Sequence, residues 1–204
     1  MMYINNRFVP KEDVLIIDGE DIILREFRAG DLDALHTLTW QPEIYGYLPG
    51  WNVPKEVRAD WLVHYEIPEN RQFLNAVLSG EDVQDLYLRL AIFSKNTGEL
   101  IGWCCTGIKS ELPSPNREIV YAISRDYRGR GYAKQAVQGM IMYLFANTNI
   151  PLLNAVALTE NIASCQVIQK SGFTLRDIIH IEGEEYQHYV LDRQSWAEHI
   201  GQRH

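Results

Sequence analysis

The chain has 204 residues, which is enough for one domain with a full hydrophobic core and too few for two ordinary domains. Its composition, 46% hydrophobic and 23% charged, is typical of a globular protein, and its net charge of −8 argues against a general nucleic-acid-binding protein, which needs a basic face. It has no run of about 18 apolar residues that would span a membrane, and its polar start lacks a signal-peptide core, so we expect a cytoplasmic protein that binds neither membrane nor nucleic acid.

The first segments of the chain favour a β-hairpin followed by a helix. Residues 14–18 and 22–27 are apolar runs joined through a glycine-containing turn. We treat residues 1–19 as an N-terminal extension that includes the first hairpin strand, within a single domain that spans residues 1–204. Asp31 is suited to cap the helix that follows.

Large aromatic rings crowd the segment from residue 40 to residue 65, together with proline and glycine breakers. These rings either fill the core or form the wall of a pocket for an acceptor molecule, and the sequence leaves both roles open. Residues 55–78 then show a helical pattern that Pro68 should break or kink. His64 in this segment is a remote candidate for a general base.

The centre of the chain favours an antiparallel meander. Apolar runs at 86–93 and 100–108 flank a turn, and a third run at 117–124 follows a loop rich in proline and serine. The neighbouring Cys104 and Cys105 fit small hydrophobic positions in a strand. The cysteines of the chain have neither a disulfide framework nor zinc-ligand spacing, so we expect no metal site.

Residues 125–134 concentrate four basic side chains around two glycines at the start of a predicted helix. The first N–H groups of a helix carry partial positive charge, and glycines let a ligand approach them, so the segment predicts a phosphate site, here called the cradle. The spacing fits neither a Walker loop, which needs a hydroxyl after its lysine, nor a dinucleotide fingerprint, which needs a third glycine where Lys134 stands. The alternative is a glycine turn with solvated arginines.

The last third of the chain predicts a strand, a capped helix and a hairpin. Residues 152–158 are a buried apolar run, Asn161 is suited to cap the next helix, and Gly172 to end it in the left-handed conformation. Two further runs, 174–181 and 186–191, predict a final hairpin. We expect His180 and His188 to face each other across it as sheet packing rather than as a site.

Two of these segments resemble motifs of the GNAT superfamily of N-acetyltransferases. Arg128-x-x-Gly131-x-Ala133 is similar to the R/Q-x-x-G-x-G/A signature of the superfamily. Residues 161–173 match the N-x-x-S-x-x-V-x-x-K-x-G-F segment of its RimJ/RimL-like branch, the ribosomal-protein N-terminal acetyltransferases. The resemblance implies an α+β fold, with a mostly antiparallel, strongly twisted mixed sheet that is flanked by helices and splayed between two parallel strands, from 118 and from 152, to admit acetyl-CoA.

The resemblance also implies positions for the cosubstrate. Acetyl-CoA would place its pyrophosphate on the cradle and its pantetheine arm beside residues 118–124. The implied cofactor-binding residues are Ala122, Ile123, Arg128, Gly129, Arg130, Gly131, Tyr132, Ala133, Lys134 and Asn161. Many GNAT enzymes carry a catalytic tyrosine where this chain has Ile168, so Ser164 becomes the candidate proton donor to the leaving thiolate. No metal is implied.

Glu118 is the candidate general base. An alkylammonium is almost wholly protonated at neutral pH, so attack by an amine requires a group that takes up its proton. Glu118 lies in an otherwise apolar run, where desolvation would raise its pKa, and many GNAT enzymes have a glutamate at this distance before the motif arginine. In the alternative reading it is an edge-strand carboxylate paired with Arg117 or another cation.

Three hypotheses of function follow. The first is an acetyl-CoA-dependent N-acetyltransferase that works by direct attack in a ternary complex on an amine-bearing acceptor: a protein N-terminus, an amino acid or a small amine. The second is a non-catalytic acyl-CoA binding or sensing module, and the third an unrelated nucleotide-phosphate binder. The acidic composition mildly favours a cationic acceptor, and a homodimer is one assembly open to such a protein.

Overall fold

In the computed structural model, which describes residues 15–83 and 85–201, eight strands form one mixed sheet. In chain order they are β1 (Ile16–Asp18), β2 (Ile22–Glu26), β3 (Leu88–Ser94), β4 (Leu100–Ile108), β5 (Arg117–Ile123), β6 (Leu152–Leu158), β7 (Thr174–Ile181) and β8 (Glu184–Asp192). In space the order is β1-β2-β3-β4-β5-β6-β8-β7. Every neighbouring pair is antiparallel except β5 and β6, which are parallel.

The helices flank this sheet over two buried clusters. They are α1 (Leu32–Thr39), α2 (Pro42–Tyr45), α3 (Lys55–Trp61), α4 (Ile67–Ser79), α5 (Tyr132–Asn147), α6 (Ile162–Lys170) and α7 (Arg193–Gly201). The larger cluster includes the buried stripe of α5, and the smaller one joins α1 and α2 to the sheet around Trp103. Neighbouring residues of a strand point to opposite faces, so β5 gives Ile123 to the first cluster and Ala122 to the second. In the described ranges, no helix is both long and apolar enough to cross a bilayer.

The parallel pair, β5 and β6, is joined at one position. Glu118 lies opposite Asn154, and beyond that pair the two strands separate. On its other edge β5 stays paired with β4 along its whole length, from Arg117 opposite Ile108 to Ile123 opposite Gly102. The predicted α+β fold, with a mostly antiparallel sheet that opens between two parallel strands, is therefore confirmed. We call the opening between residues 118–123 and residues 154–158 the fork.

Element bounds agree with the sequence prediction where the local signal is strong. β4 and β6 have the predicted limits, whereas β3 begins two residues later than expected, at Leu88. The predicted first strand is present from Ile16, and residues 1–14 of the proposed extension lie outside the described residues. Asp31 does precede α1, but its carboxylate accepts hydrogen bonds from the Arg25 guanidinium and the Arg28 backbone N–H instead of capping α1.

Pro68 does not end the helical path predicted over 55–78. Residues Leu62–Glu66 form a π-helical turn that connects α3 to α4, and Pro68 lies in the first turn of α4. A proline fits there because its missing N–H and its ring are tolerated where the normal hydrogen-bond ladder is already interrupted. The interruption therefore precedes the proline by a turn.

The two histidines of the final hairpin do not face each other, contrary to expectation. His180 lies opposite Glu185, and His188 lies opposite Asp177, because the two strands pair outward from a turn in which Ile181 lies opposite Glu184. His188 is buried, with 2% of its surface exposed, and takes part in a hydrogen-bonded chain described below.

Candidate active site

One cavity of about 810 Å³ joins the cradle, the fork and the neighbouring helix α2. It is bordered by Gly129 and Gly131 at one end and by Glu118 at the other, with β6 and α6 on the far side. A strand rises by about 3.3 Å per residue, so β5 spans roughly 16 Å between Glu118 and Ile123. The cavity can therefore hold an extended ligand, with one end at the glycines of the cradle and the other at the Glu118 carboxylate.

The cradle presents backbone to this cavity. Gly129 and Gly131 have φ values of 76° and 80°, in the left-handed region, and a Cβ built on either would meet no atom within 4 Å. α5 begins at Tyr132, and the Gln135 N–H donates to the Gly131 carbonyl at 3.1 Å. The N–H groups of that first turn therefore point to the open end of the cavity, where an anion is favoured.

The basic side chains of the cradle do not all converge on that space. The Arg128 guanidinium donates to the Glu43 carbonyl at 2.7 Å and to the Ile123 carbonyl at 3.3 Å, so it ties the loop to α2 and to the end of β5. Arg130 donates to the Asp126 carbonyl and lies over the Tyr127 ring. Lys134 borders the cavity, as do Tyr132 and Ala133. Positive charge at the cradle thus comes from the helix start, from Lys134 and from Arg128, which borders the cavity while its hydrogen bonds shape the loop.

The peptides of β5 alternate between β4 and the fork. A Cβ built on Gly102 of β4 would lie 2.2 Å from the Ala122 carbonyl oxygen, so the Ala122 peptide faces β4. The Arg117 carbonyl, by contrast, accepts a hydrogen bond from the Asn154 side chain of β6. Odd-numbered residues of β5 therefore present their backbone groups to the fork, so of the two implied cofactor-binding residues Ala122 and Ile123 it is Ile123 whose amide faces it.

Glu118 lies at the closed end of the fork with its side chain on the face of α1 and α2. Burial raises its pKa to about 7, and the opposing effects of Lys109 and of a hydrogen bond from the Val156 backbone do not offset it. β5 is an interior strand, and its neighbour Arg117 points to the opposite face, where its guanidinium donates to the Leu86 carbonyl at 3.0 Å. A carboxylate with this pKa can take up a proton near neutral pH.

Ser164 and Tyr121 meet on the other face of the fork. The Tyr121 hydroxyl lies 2.9 Å from Ser164 Oγ and donates to the Ser164 carbonyl at 3.1 Å. Burial raises the pKa of Tyr121, so its hydroxyl stays neutral. The Asn161 carboxamide oxygen accepts from the Ser164 N–H at 3.1 Å, as a helix cap, and both residues border the cavity. Ile168, for which the family resemblance implied a tyrosine, is 1% exposed in the core.

Comparison with known proteins decides the family. The sequence profile described as "Acetyltransferase (GNAT) domain" matches residues 21–174. The chain belongs to the GNAT acetyltransferase family. It is 26% identical, over 177 residues, to the uncharacterized N-acetyltransferase p20 of Bacillus licheniformis, a match that covers 84% of this chain and 92% of that protein.

Solved GNAT structures with different acceptors in their names share this fold. The ribosomal-protein-S5-alanine acetyltransferase of Vibrio fischeri superposes with a TM-score of 0.68 at 16% identity, covering 89% of this chain and 98% of that one. AAC(6')-Ib in complex with paromomycin and acetyl-CoA superposes with a TM-score of 0.66 at 17% identity, covering 87% and 97%. At such identities the likeness establishes the GNAT fold and leaves the branch of the family undecided.

The aromatic segment 40–65 divides between the two roles that its sequence left open. Tyr47 and Trp51 border the cavity, and Trp51 also stacks on the buried Trp103 at 4.7 Å between ring centroids. Tyr65 is 63% exposed and is not among the residues that border the cavity. His64 pairs with Asp60 on the surface, with Nδ1 2.8 Å from Oδ1, also away from the cavity.

Sequence reasoning missed two features of the site. Tyr87 borders the cavity and lies over Gly107, which is opposite Glu118, and a Cβ on that glycine would lie 1.9 Å from the Tyr87 ring. The sequence predicts a strand over 117–124 and assigns Tyr121 in it no role at the site. No local signal marks either one, although the glycine opposite Glu118 is a hint that another group approaches closely. Within the described residues, no cluster of three or more His, Cys, Asp or Glu side chains could hold a metal ion.

Proposed function

We propose that this GNAT protein transfers the acetyl group of acetyl-CoA to a primary amine by direct attack in a ternary complex. One observation carries the proposal: the glycine cradle and a carboxylate with a pKa of about 7 lie at opposite ends of one cavity along β5. The cradle would bind the pyrophosphate through the amides after Gly129, with Lys134 adding charge. The pantetheine arm would follow β5 and pair with its fork-facing backbone groups.

Glu118 would act as the general base. An amine with a pKa near 10 is unprotonated in only about 0.1% of molecules at pH 7, so proton removal limits attack. Glu118 takes a proton from the ammonium, the nitrogen attacks the thioester carbon to form the C–N bond of a tetrahedral intermediate, and the C–S bond breaks when that intermediate collapses. The Ile123 N–H is placed to stabilise the developing oxyanion. Effective molarity in the ternary complex supplies a further part of the barrier reduction.

Ser164 would donate a hydrogen bond or a proton to the departing sulfur from the opposite face of the fork. Ser164 borders the cavity, its hydroxyl contacts the Tyr121 hydroxyl, and its backbone N–H donates to the capping Asn161. A hydrogen bond or proton from Ser164 stabilises the thiolate, and the proton lost by the nitrogen when the tetrahedral intermediate collapses balances the one that the sulfur gains. A base on one face and a donor on the other allow acceptor and thiol to occupy separate sides.

The acceptor side favours a cationic amine. Glu111 and Glu182 border the cavity with Tyr47 and Tyr186, so carboxylates and aromatic faces meet there, and the net charge of −8 adds to the field. We place the chain in the RimJ/RimL-like branch on residues 161–173, which makes a protein N-terminus the first acceptor to test. Amino acids and small polyamines are the next.

The test is thiol release from acetyl-CoA in the presence of peptides with free N-termini, amino acids and small polyamines. We expect release that depends on the acceptor and on Glu118. Tight acetyl-CoA binding without release for any acceptor would instead support the acyl-CoA sensing module, for which the core Ile168 in place of the usual tyrosine is the supporting observation. Competition of ATP or NAD with coenzyme A would point to a nucleotide-phosphate binder.

A further inference from the structure

A chain of three hydrogen-bonded side chains runs behind the fork, from the sheet edge to the start of β5. Asp177 of β7 contacts His188 of β8, with Oδ1 2.9 Å from Nδ1, and His188 Nε2 lies 2.9 Å from Asn154 Oδ1 on β6. Asn154 and His188 are 1% and 2% exposed. A buried polar chain of this kind is costly unless each member is satisfied, so its geometry constrains where the hydrogens lie.

The orientation of the Asn154 carboxamide is fixed by its partners. Its Nδ2 donates to the Pro115 carbonyl at 3.0 Å and to the Arg117 carbonyl at 3.1 Å. The flipped carboxamide would set its oxygen against two other acceptors, so Oδ1 must face His188. The Arg117 carbonyl belongs to the peptide whose nitrogen is that of Glu118. Asn154 therefore holds the backbone immediately before the carboxylate.

The same geometry settles the hydrogens of His188. Nε2 faces the carboxamide oxygen of Asn154, and Nδ1 faces the carboxylate of Asp177, whose side chain is 53% exposed. Both neighbours accept hydrogen bonds, so both contacts form only when each ring nitrogen carries a hydrogen. The imidazole is then a cation, with the neutral amide of β6 on one side and the carboxylate of β7 on the other.

We propose that Asn154 is a positioning residue for the Glu118 base and that a doubly protonated His188, paired with Asp177, holds Asn154 in place. The proposal rests on the proposed function. Beyond the Glu118–Asn154 pair, β5 and β6 separate, so no further parallel ladder fixes this side of β5. The Asn154 side chain supplies the tie that the ladder does not, at the point where the base must stay fixed and the fork must open. Displacing a base by about 1 Å can cost 10²-fold in rate.

The test compares two variants of His188. In His188→Gln the side-chain amide can still donate to Asn154, whereas His188→Leu removes both hydrogen bonds. We expect kcat for thiol release to fall about 10²-fold in His188→Leu and by much less in His188→Gln, with the KM for acetyl-CoA unchanged in both. His180→Leu on the same hairpin, where the side chain is 70% exposed, is the matched control and should leave kcat unchanged.

Two measurements by NMR do not need turnover, so they separate this proposal from the proposed function. From the two hydrogen-bond contacts we expect a hydrogen on each ring nitrogen of His188. We expect the carboxyl titration of Glu118 to move from about 7 towards 4.5 in His188→Leu as water reaches it. If His188→Leu fails to fold, Asp177→Asn, at the half-exposed end of the chain, should give a smaller shift in the same direction. A ring nitrogen without hydrogen, or an unchanged Glu118 titration in a folded variant, would overturn the proposal. Absence of thiol release from the wild type with an altered titration would refute the function alone.

Discussion

Replacing Glu118 by glutamine should make the protein more stable as it makes it less active. Burial holds the pKa of Glu118 at about 7 against an ordinary value of 4.5. Below pH 4.5 the group is neutral in both the folded and the unfolded chain, and above pH 7 the folded protein must keep a partly buried charge that the unfolded chain solvates. The free energy of unfolding therefore falls as the pH rises from 4.5 to 7.

The size of the effect follows from the shift. Each pKa unit corresponds to 1.36 kcal/mol, so the cost of the charge at pH 8 is at most about 3 kcal/mol, and less where water reaches the carboxylate. Glu118→Gln keeps the shape and an acceptor oxygen for the Val156 hydrogen bond but never ionises. It should match the wild type at pH 4.5 and exceed its stability by up to about 3 kcal/mol at pH 8.

Urea unfolding at pH 4.5 and pH 8 measures this difference. With slopes of about 1–3 kcal/mol per molar urea, the midpoint at pH 8 should rise in Glu118→Gln by up to about 1–3 M. The exposed Glu160, replaced in the same way, is the control and should show no such pH-dependent gain. In Glu118→Gln, kcat should drop about 10²-fold, and the fall of kcat on the acidic side of pH 7 should disappear from its pH profile. Equal midpoints of wild type and Glu118→Gln at pH 8 would show that the carboxylate is solvated, and the argument for a tuned base would fail.

Three further changes test the site and its support. Gly131→Ala and Gly80→Ala each place a Cβ in open space at a left-handed glycine, so both should lose about 1 kcal/mol of stability. Only Gly131→Ala should weaken acetyl-CoA binding in calorimetry, by tenfold or more. Equal affinities of the two variants for acetyl-CoA would contradict the cradle as the binding site. Tyr121→Phe should lower kcat less than Ser164→Ala, and the double variant should match Ser164→Ala, whereas additive losses would mean that the two hydroxyls act separately. Arg58→Met leaves the buried Glu66 without its ion-pair partner, so the free energy of unfolding measured in urea should fall by about 3–5 kcal/mol. A loss below about 1 kcal/mol would mean that the pair is solvated.

Features with a local cause could be read from the sequence. β6 follows from an uninterrupted apolar run, and α6 from a cap at one end and a glycine at the other: Asn161 does accept from the helix, and Gly172 has a φ of 105°. The cradle likewise follows from two glycines before a helix start. In each case the residues that specify the structure are within about a dozen positions of each other, so pattern and propensity are sufficient.

The orientation of the cradle arginines could not be read in this way. Charge alone predicts that Arg128 faces an anion, yet its guanidinium is held by the carbonyls of Glu43 and Ile123, from segments 85 and 5 residues away. A guanidinium has five donors, and backbone carbonyls left over at the end of β5 and in α2 compete for them. The sequence gives the sign of the charge, and the packing of α2 against the cradle decides its direction.

Contacts between residues far apart in the sequence could not be predicted either. Tyr121 and Ser164 are 43 residues apart, and Asn154 and His188 are 34 apart. Their meeting depends on the strand order β5-β6-β8-β7, in which β8 inserts between its hairpin partner and β6. It also depends on the register of the final hairpin, in which Ile181 lies opposite Glu184 and Asp177 therefore lies opposite His188. The strand order has no local sequence signal, so these contacts could not be predicted.

The two edges of β5 have opposite requirements, and the sequence meets each with a different residue type. Towards β4 the strand must be held closely, and Gly102 allows this because any Cβ there would lie 2.2 Å from the Ala122 carbonyl oxygen. Towards β6 the strand must be held at one point and free beyond it, which a continuous ladder cannot provide. A side-chain amide can, since Asn154 binds the carbonyls before Glu118 without extending pairing along the strand. The fork therefore stays open because β5 is fixed on its far edge by a continuous backbone ladder and on its near edge only at the Glu118–Asn154 pair, which the Asn154 side chain reinforces.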